Sequence, residues 1–385
     1  MRLGRVGAVV GGAAGLAGAI TAVGIAQQRR AVAADRALID PRSAAALSAE
    51  PTSRQHRIPT EDGVLLHAEE VGPADAPLTV LFVHGFALSL ESFVLQRRAL
   101  REHFGERVRL VLYDLRSHGR SGHSPSADCT LEQLGRDLYG VLDRLVPTGP
   151  VVLVGHSMGG MTIMSFARQH PELFARRQPA SIAEAERTQS RATDLAPDGR
   201  IRAVALINTS SGELRTVTLG LPSLLARLRG PVLPVLLRRA AKNAALVERG
   251  RALGKDLAWL ITKRLSFADP DVPPAVVAFC TNLIARTPVD VVADFYPTLM
   301  THDGAEGLRS LLHTPVLILG AEQDALTPLS HSEALTRALP DARLVVVPNA
   351  GHLLMLEHPD AVNRPLLELV DSAYPARLTG RRRQA

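Results

Sequence analysis

The chain has 385 residues, enough for one large domain or two small ones. An apolar fraction of 46% and a charged fraction of 21% are typical of a globular protein, while 4% aromatic residues argue against a stacking platform for single-stranded nucleic acid. The net charge is +6, but the basic residues are dispersed and form no nucleic-acid-binding run, so no nucleic-acid partner is expected.

The first predicted element is an apolar segment at residues 6–26, which carries no charge over 21 residues. As a helix it would span about 31 Å at roughly 1.5 Å per residue, matching a bilayer core of about 30 Å. We expect it to anchor the chain to a membrane, with the side of the membrane left open. A cleaved signal peptide, which would make the protein secreted, and a disordered tail are the alternatives. The residues that follow, up to residue 53, are interpreted as a linker.

Beyond this linker the chain alternates short β-branched runs with helical stretches, which predicts an α/β fold: a mostly parallel sheet covered by helices on both faces. The predicted buried strands are residues 79–84, 109–114, 151–155, 203–208, 315–320 and 343–348, after an antiparallel edge strand at 64–71. The predicted helices are residues 90–102, 130–145, 158–170, 328–338 and 359–372.

Two segments interrupt this alternation. Residues 174–200 are polar and without a pattern, and are interpreted as a surface insertion. Residues 211–300 are helical and amphipathic, which predicts a helical cap inserted before the strand predicted at residues 315–320; helices packed beside the sheet are the alternative. The core of the fold is therefore predicted at residues 54–210 and 301–375, with a basic tail at 376–385.

The strongest chemical motif is the G-x-S-x-G sequence at residues 155–159, with Ser157 at its centre. It directly follows one predicted strand and opens a helix, the context required of a nucleophile elbow. Glycines are needed on either side because side chains there would clash in so tight a turn. The motif predicts Ser157 as a nucleophile whose hydroxyl lies at a helix N-terminus.

A serine hydroxyl needs a general base, and His352 lies in a turn after the last predicted strand. The base in turn needs an acceptor for its second ring N–H, which we assign to Asp324 at the end of the preceding strand. Glu322, Asp303 and Asp341 are its competitors. The remaining histidines near the predicted strand ends are interpreted as packing or hydrogen-bonding (His156), turn-shaping (His84) or loop-stabilising residues (His118 and His123).

The oxyanion formed during acyl transfer needs preorganised N–H donors. The backbone N–H groups of Met158, next to the nucleophile, and of Phe86, after the first buried strand, are the candidates. No metal site and no cofactor are expected. Cys129 and Cys280 are interpreted as packing residues, and nothing in the sequence identifies the substrate-binding residues.

From about residue 64 onward the chain resembles the α/β-hydrolase fold superfamily over roughly 300 residues. The resemblance implies acyl-type hydrolysis through a covalent acyl-enzyme. Members that use an aspartate nucleophile are disfavoured, because residue 157 is serine. The residues that carry the resemblance are His84-Gly85-Phe86, the D-x-R-x-x-G-x-S loop at 114–121, the glycine-rich turn at 155–160, residues 320–324 and Gly351-His352.

We therefore expect a serine hydrolase that cleaves carboxylic esters of a small apolar or lipid-like substrate held under the cap. A C–C bond or amide hydrolase of the same fold is the alternative within enzymes. An alternative of another class is a non-catalytic, membrane-tethered binding protein that has kept the fold.

Overall fold

The computed structural model describes residues 28–48, 53–174, 199–217 and 244–374, with side chains from residue 254 onward in the last range. An eight-stranded sheet runs through it in the order β1-β2-β4-β3-β5-β6-β7-β8. The strands are β1 (Arg54–Pro59), β2 (Leu65–Val71), β3 (Leu78–Val83), β4 (Val108–Tyr113), β5 (Val151–His156), β6 (Ile201–Ile207), β7 (Val316–Ala321) and β8 (Arg343–Val347).

The sheet confirms the predicted α/β class. All neighbouring pairs from β4 to β8 are parallel, whereas β1 and β2 pair antiparallel. The six predicted parallel strands agree with the structure to within two residues at each end. β2 is antiparallel as predicted, but its placement at the edge is wrong because β1 pairs with its outer side. β1 was not predicted, because Ile58 is its only buried residue and the strand therefore has no apolar run.

Helices cover both faces of the sheet. Alternate residues of a strand point to opposite faces, and in β3 Val80 packs in one apolar cluster while Leu81 packs in the other. The α-helices besides residues 28–37 are Pro41–Ser48, Val94–Phe104, Leu131–Leu145, Met158–Gln169, Ala244–Ser266, Pro274–Arg286, Val289–Met300, Ala305–Ser310, Leu329–Ala338, Leu354–Glu357 and Pro359–Ser372. The helix predicted from residue 90 begins as a 3₁₀ turn, Leu90–Phe93, and becomes α-helical at Val94.

The helical prediction for residues 211–300 is confirmed from residue 244 onward, where three of the four α-helices described between β6 and β7 lie. Residues 218–243 of this segment, residues 175–198 of the predicted insertion and residues 375–385 of the tail lie outside the described residues. The domain boundaries themselves stay a prediction.

The linker prediction is wrong for residues 28–48, which form two helices packed on the protein. Val32 is 1% exposed, and ion pairs join Arg36 to Asp256 at 2.8 Å and Asp35 to Lys263 at 2.9 Å. The alanine-rich composition hid this packing, because alanine gives little hydrophobic periodicity. The predicted anchor at residues 6–26 lies outside the described residues.

In the described ranges, no single helix has both the length and the apolar composition of a membrane span. Pro274–Arg286 and Val289–Met300 reach that threshold only as a pair, with a 90° bend between them.

Candidate active site

Ser157 occupies a sharp turn between β5, which ends at His156, and the helix that begins at Met158. Its backbone has φ 51° and ψ −119°, a conformation that non-glycine residues rarely adopt and that stores strain. A Cβ at Gly159 would come within 1.9 Å of the Val83 carbonyl oxygen, so only glycine fits there. The turn therefore has the geometry predicted for a nucleophile elbow.

The structure brings Ser157, His352 and Asp324 into one hydrogen-bonded chain. In the neutral imidazole, Nδ1–H of His352 donates to Oδ2 of Asp324 at 2.8 Å, and Nε2 accepts from the Ser157 hydroxyl at 3.0 Å. The serine and the histidine are 195 residues apart in sequence, yet all three side chains are buried together where β5, β7 and β8 end. This arrangement can move a proton away from the serine hydroxyl.

Asp324 is fixed by donors besides the histidine. Its Oδ1 accepts the backbone N–H groups of Leu326 and Thr327, and its Oδ2 accepts the Thr327 hydroxyl at 2.8 Å. Burial alone would raise the pKa of Asp324, but the His352 ring and these donors lower it below the ordinary value. The carboxylate is therefore held in its charged form.

The competing carboxylates do not reach the base. Glu322, Asp303 and Asp341 are all exposed, whereas Asp324 is 4% exposed and bonded to His352. Thr327 was missed by sequence reasoning. Thr327 lies three residues after Asp324 in a turn, and threonine hydroxyls commonly form hydrogen bonds to nearby polar groups in turns. This spacing could have identified Thr327 from the sequence.

The loop that carries His352 is held by two side chains from the sheet. Nε2–H of His156 donates to the His352 carbonyl at 2.9 Å, and Nδ2 of Asn208 donates to the carbonyls of Gly351 at 2.9 Å and His352 at 3.0 Å. Burial lowers the pKa of His156 to about 3, so the ring is neutral and serves as a hydrogen-bond donor, as predicted. In the sequence, Asn208 is marked only as the last residue of a predicted strand.

The two predicted oxyanion residues lie beside the elbow. Val83 pairs with Gly155 in parallel register, so the residues following β3 and β5 emerge next to each other, and Phe86 and Ser157 line the same cavity. Met158 is the first residue of its helix, where backbone N–H groups have no partner within the helix. Their role as oxyanion donors stays a prediction.

His84 shapes the turn after β3, as predicted. Its Nδ1–H donates to the Gly85 carbonyl at 2.8 Å, and its Nε2 accepts the Leu115 N–H at 3.0 Å. Burial lowers the pKa of His84 to about 4. The ring therefore ties the loop after β3 to the D-x-R-x-x-G-x-S loop in its neutral form.

A cavity of about 300 Å³ opens above Ser157, between the strand ends and the helices of the predicted cap. Among its described lining residues none is Asp, Glu, Lys or Arg. The lining includes Phe86, Met161, Leu265, Ile284, Leu299 and Leu353. Such a cavity suits an apolar group, and the helices that close it lie where a cap would.

Among the residues that the structure describes, this site has neither a metal cluster nor a disulfide. Within the ranges that the structure describes, no three His, Cys, Asp or Glu side chains could together hold a metal ion. Cys129 and Cys280 are both buried and unpaired, which confirms them as packing residues.

Comparison with known proteins gives a consistent result. Residues 80–364, well over half of the chain, match the model of the alpha/beta hydrolase family. A mouse protein named sn-1-specific diacylglycerol lipase ABHD11 is 28% identical over 290 residues, covering 75% of this chain and 79% of its own length.

Solved structures agree with this match. A thermophilic esterase from Thermogutta terrifontis is 25% identical with a TM-score of 0.60, and the alignment covers 84% of this chain and 100% of the esterase. An enol-lactonase from Burkholderia xenovorans LB400 aligns over 83% of this chain and 100% of its own with a TM-score of 0.58; at 21% identity it supports the fold alone. The chain therefore belongs to the alpha/beta hydrolase family and is a hydrolase.

Proposed function

We propose that this hydrolase cleaves carboxylic esters with an apolar acyl group through an acyl-enzyme on Ser157. The observation that carries the proposal is the position of His352, whose ring bonds to Asp324 on one side and to Ser157 on the other, directly below an apolar cavity. A bound ester carbonyl in that cavity would lie within reach of the serine oxygen.

In the first half-reaction, Nε2 of His352 takes the hydroxyl proton while the oxygen of Ser157 attacks the ester carbonyl. The carbonyl electron pair moves onto its oxygen, where the N–H groups of Phe86 and Met158 would stabilise the charge. Collapse of this intermediate breaks the ester C–O bond, and the alcohol leaves with the proton from His352. Asp324 keeps the ring oriented and stabilises its transient positive charge.

In the second half-reaction, a water molecule attacks the acyl carbonyl and gives a proton to His352. The carboxylic acid then leaves as Ser157 recovers its proton, so no external reductant, oxidant or metal enters the sequence of steps. The cycle is that of covalent nucleophilic catalysis.

The cavity supports an apolar acyl group of moderate length. A cavity of about 300 Å³ holds roughly ten water-sized groups at about 30 Å³ each. Two relatives carry matching names, a diacylglycerol lipase and an esterase. We expect p-nitrophenyl octanoate to be a better substrate than p-nitrophenyl palmitate.

The test is turnover of p-nitrophenyl esters by the wild type and by Ser157→Ala. We expect Ser157→Ala to lose activity while its circular dichroism spectrum and thermal midpoint stay close to those of the wild type. Ser165→Ala, on the same helix but away from the cavity, is the matched control and should keep full activity. Equal turnover by Ser157→Ala and wild type would exclude the proposal.

The same experiment separates the alternatives. A C–C bond or amide hydrolase would show negligible ester turnover but would cleave β-diketones or amides, and that cleavage would also require Ser157. A binding protein without catalysis would fail to react with a fluorophosphonate at Ser157, whereas we expect rapid and stoichiometric labelling.

We further propose that residues 6–26 attach the protein to a membrane. Support comes from the 21 uncharged residues, whose helical length of about 31 Å fits a bilayer. The full chain should resist alkaline carbonate extraction, and a chain starting at residue 28 should be released. A purified protein whose N-terminal residue is residue 34, directly after the small-residue sequence Ala31-Val32-Ala33, would instead demonstrate a cleaved signal peptide.

A further inference from the structure

We propose that Glu357 is a positioning residue that couples the cap to the catalytic base. Its carboxylate joins the loop that carries His352 to the end of the cap helix Ala244–Ser266. Residues 266–269, which comprise the last residue of that helix and the three residues after it, are called here the cap-end loop. The inference rests on the proposed function, because it gives that base its alignment. No motif in the sequence had singled out Glu357.

The carboxylate accepts three backbone N–H groups from two distant segments. Oε1 accepts from Ala268 and from Asp269, both at 2.7 Å, and Oε2 accepts from Gly351 at 2.6 Å. Hydrogen bonds to an ionised acceptor are about twice as strong as neutral ones. The side chain of Glu357 therefore links Gly351, the residue before the base, to the cap-end loop, whose last residue lies 82 positions earlier in the chain (351 − 269).

Two backbone features bring the same segments together on either side of His352. The N–H of Leu353 donates to the Ser266 carbonyl at 2.9 Å. A Cβ at Gly351 would come within 2.8 Å of the backbone of Phe267, so glycine is required for the close approach. The base thus lies between two residues that both contact the cap-end loop.

This contact also reaches the substrate cavity. Ser266 and Leu353 both line the cavity, as does Leu265 from the last turn of the cap helix. A substrate that fills the cavity presses on the cap helix, whose end is joined through Glu357 to the His352 loop. We therefore infer that filling the cavity and aligning the base are coupled.

The expected loss on substitution is partial, because His156 and Asn208 still hold the His352 loop from the sheet side. Glu357→Gln keeps the size of the side chain but has only one acceptor oxygen, so it cannot serve both loops. A displacement of about 1 Å at a reacting group can cost about 10²-fold in rate. We expect kcat for p-nitrophenyl octanoate to fall about 10- to 100-fold.

The test compares wild type, Glu357→Gln and the control Glu368→Gln, whose side chain is exposed on the following helix. Each is assayed with p-nitrophenyl acetate and octanoate. Coupling predicts that Glu357→Gln lowers kcat more for octanoate, which fills the cavity, than for acetate, which does not. A merely structural role would lower both equally, and that result, or no loss at all, would overturn the proposal.

Hydrogen exchange tests the connection without any substrate. In Glu357→Gln we expect faster exchange in peptides covering residues 266–269 and 349–353, and unchanged exchange in β3 and β5. Unchanged exchange in both loops would refute the proposal that Glu357 holds the cap-end loop and the His352 loop together. A wild-type protein with no ester turnover would instead overturn the proposed function, and the exchange result would still decide whether Glu357 joins the loops.

Discussion

Replacing Asp324 by asparagine tests the proton path with almost no change in side-chain shape. Oδ1 of Asp324 accepts two backbone N–H groups, so the asparagine oxygen is expected to stay there and the amide NH₂ to turn toward His352. An NH₂ group at 2.8 Å from Nδ1 forces that ring nitrogen to accept, which moves the ring proton to Nε2. The base would then present N–H to a serine hydroxyl that it must deprotonate.

The magnitude follows from the loss of the correct tautomer. Such a change costs about 10⁴-fold in kcat in a serine protease triad, equivalent to about 5 kcal/mol of transition-state stabilisation at about 1.4 kcal/mol per tenfold. We expect a loss of 10³- to 10⁴-fold in kcat for p-nitrophenyl octanoate, with little change in KM because the cavity lining is intact.

The assay needs a control for an aspartate-to-asparagine change outside the proton path. Asp341→Asn removes a competing carboxylate that is exposed, and it should retain activity within twofold of the wild type. In Asp324→Asn, a decrease in kcat of less than tenfold, with a normal thermal midpoint, would refute the role assigned to this carboxylate.

The charge of Asp324 also affects stability. Because the pKa of this carboxyl group is lower in the folded protein than in the unfolded chain, its ionised form stabilises the fold above the unfolded-state pKa, and this contribution is lost as pH falls.

Three further predictions concern the surroundings of the site. Thr327→Val removes the hydroxyl that donates to Asp324 and should lower kcat about tenfold. The control Thr336→Val, on a helix away from the site, should leave kcat unchanged. Equal kcat values for Thr327→Val and the wild type would contradict the role of Thr327. Burial lowers the pKa of His118 to about 3, so that between about pH 6.5 and pH 3 this ring takes up a proton in the unfolded chain but not in the folded protein. The free energy of unfolding should therefore fall by up to about 1.4 kcal/mol for each pH unit of acidification in this range. Denaturant titrations at several pH values should show that the free energy of unfolding of His118→Gln falls less steeply with decreasing pH than that of the wild type. Leu299→Trp should fill part of the cavity and lower kcat/KM for octanoate at least tenfold more than for acetate; an unchanged ratio would place the acyl group elsewhere.

The sequence predicted the parts of the fold that carry strong local signals. Parallel strands such as β3 and β5 are uninterrupted apolar runs because both faces are buried, and the tight elbow at Ser157 requires glycine next to it. Strand ends on one edge of a parallel sheet converge. That rule was sufficient to predict that Asp324 and His352 lie close to Ser157, as the structure shows.

The contacts that were missed depend on long-range packing. β1 is an exposed edge strand, and the helices at residues 28–48 bury few large apolar side chains, so neither leaves a clear periodic pattern. Asn208 and Glu357 act on backbone groups of other segments. A single sequence contains no signal for such partners, because the partner is a peptide group that every residue has.

The most direct measurement of the central claim is peptide mass spectrometry of protein quenched in acid within milliseconds of mixing with p-nitrophenyl octanoate. The hydroxyl of Ser157 should carry an octanoyl group that accumulates in a burst and disappears as the ester is exhausted. Ester turnover with no acyl group on Ser157 at any time, or with the acyl group on another residue, would contradict the account.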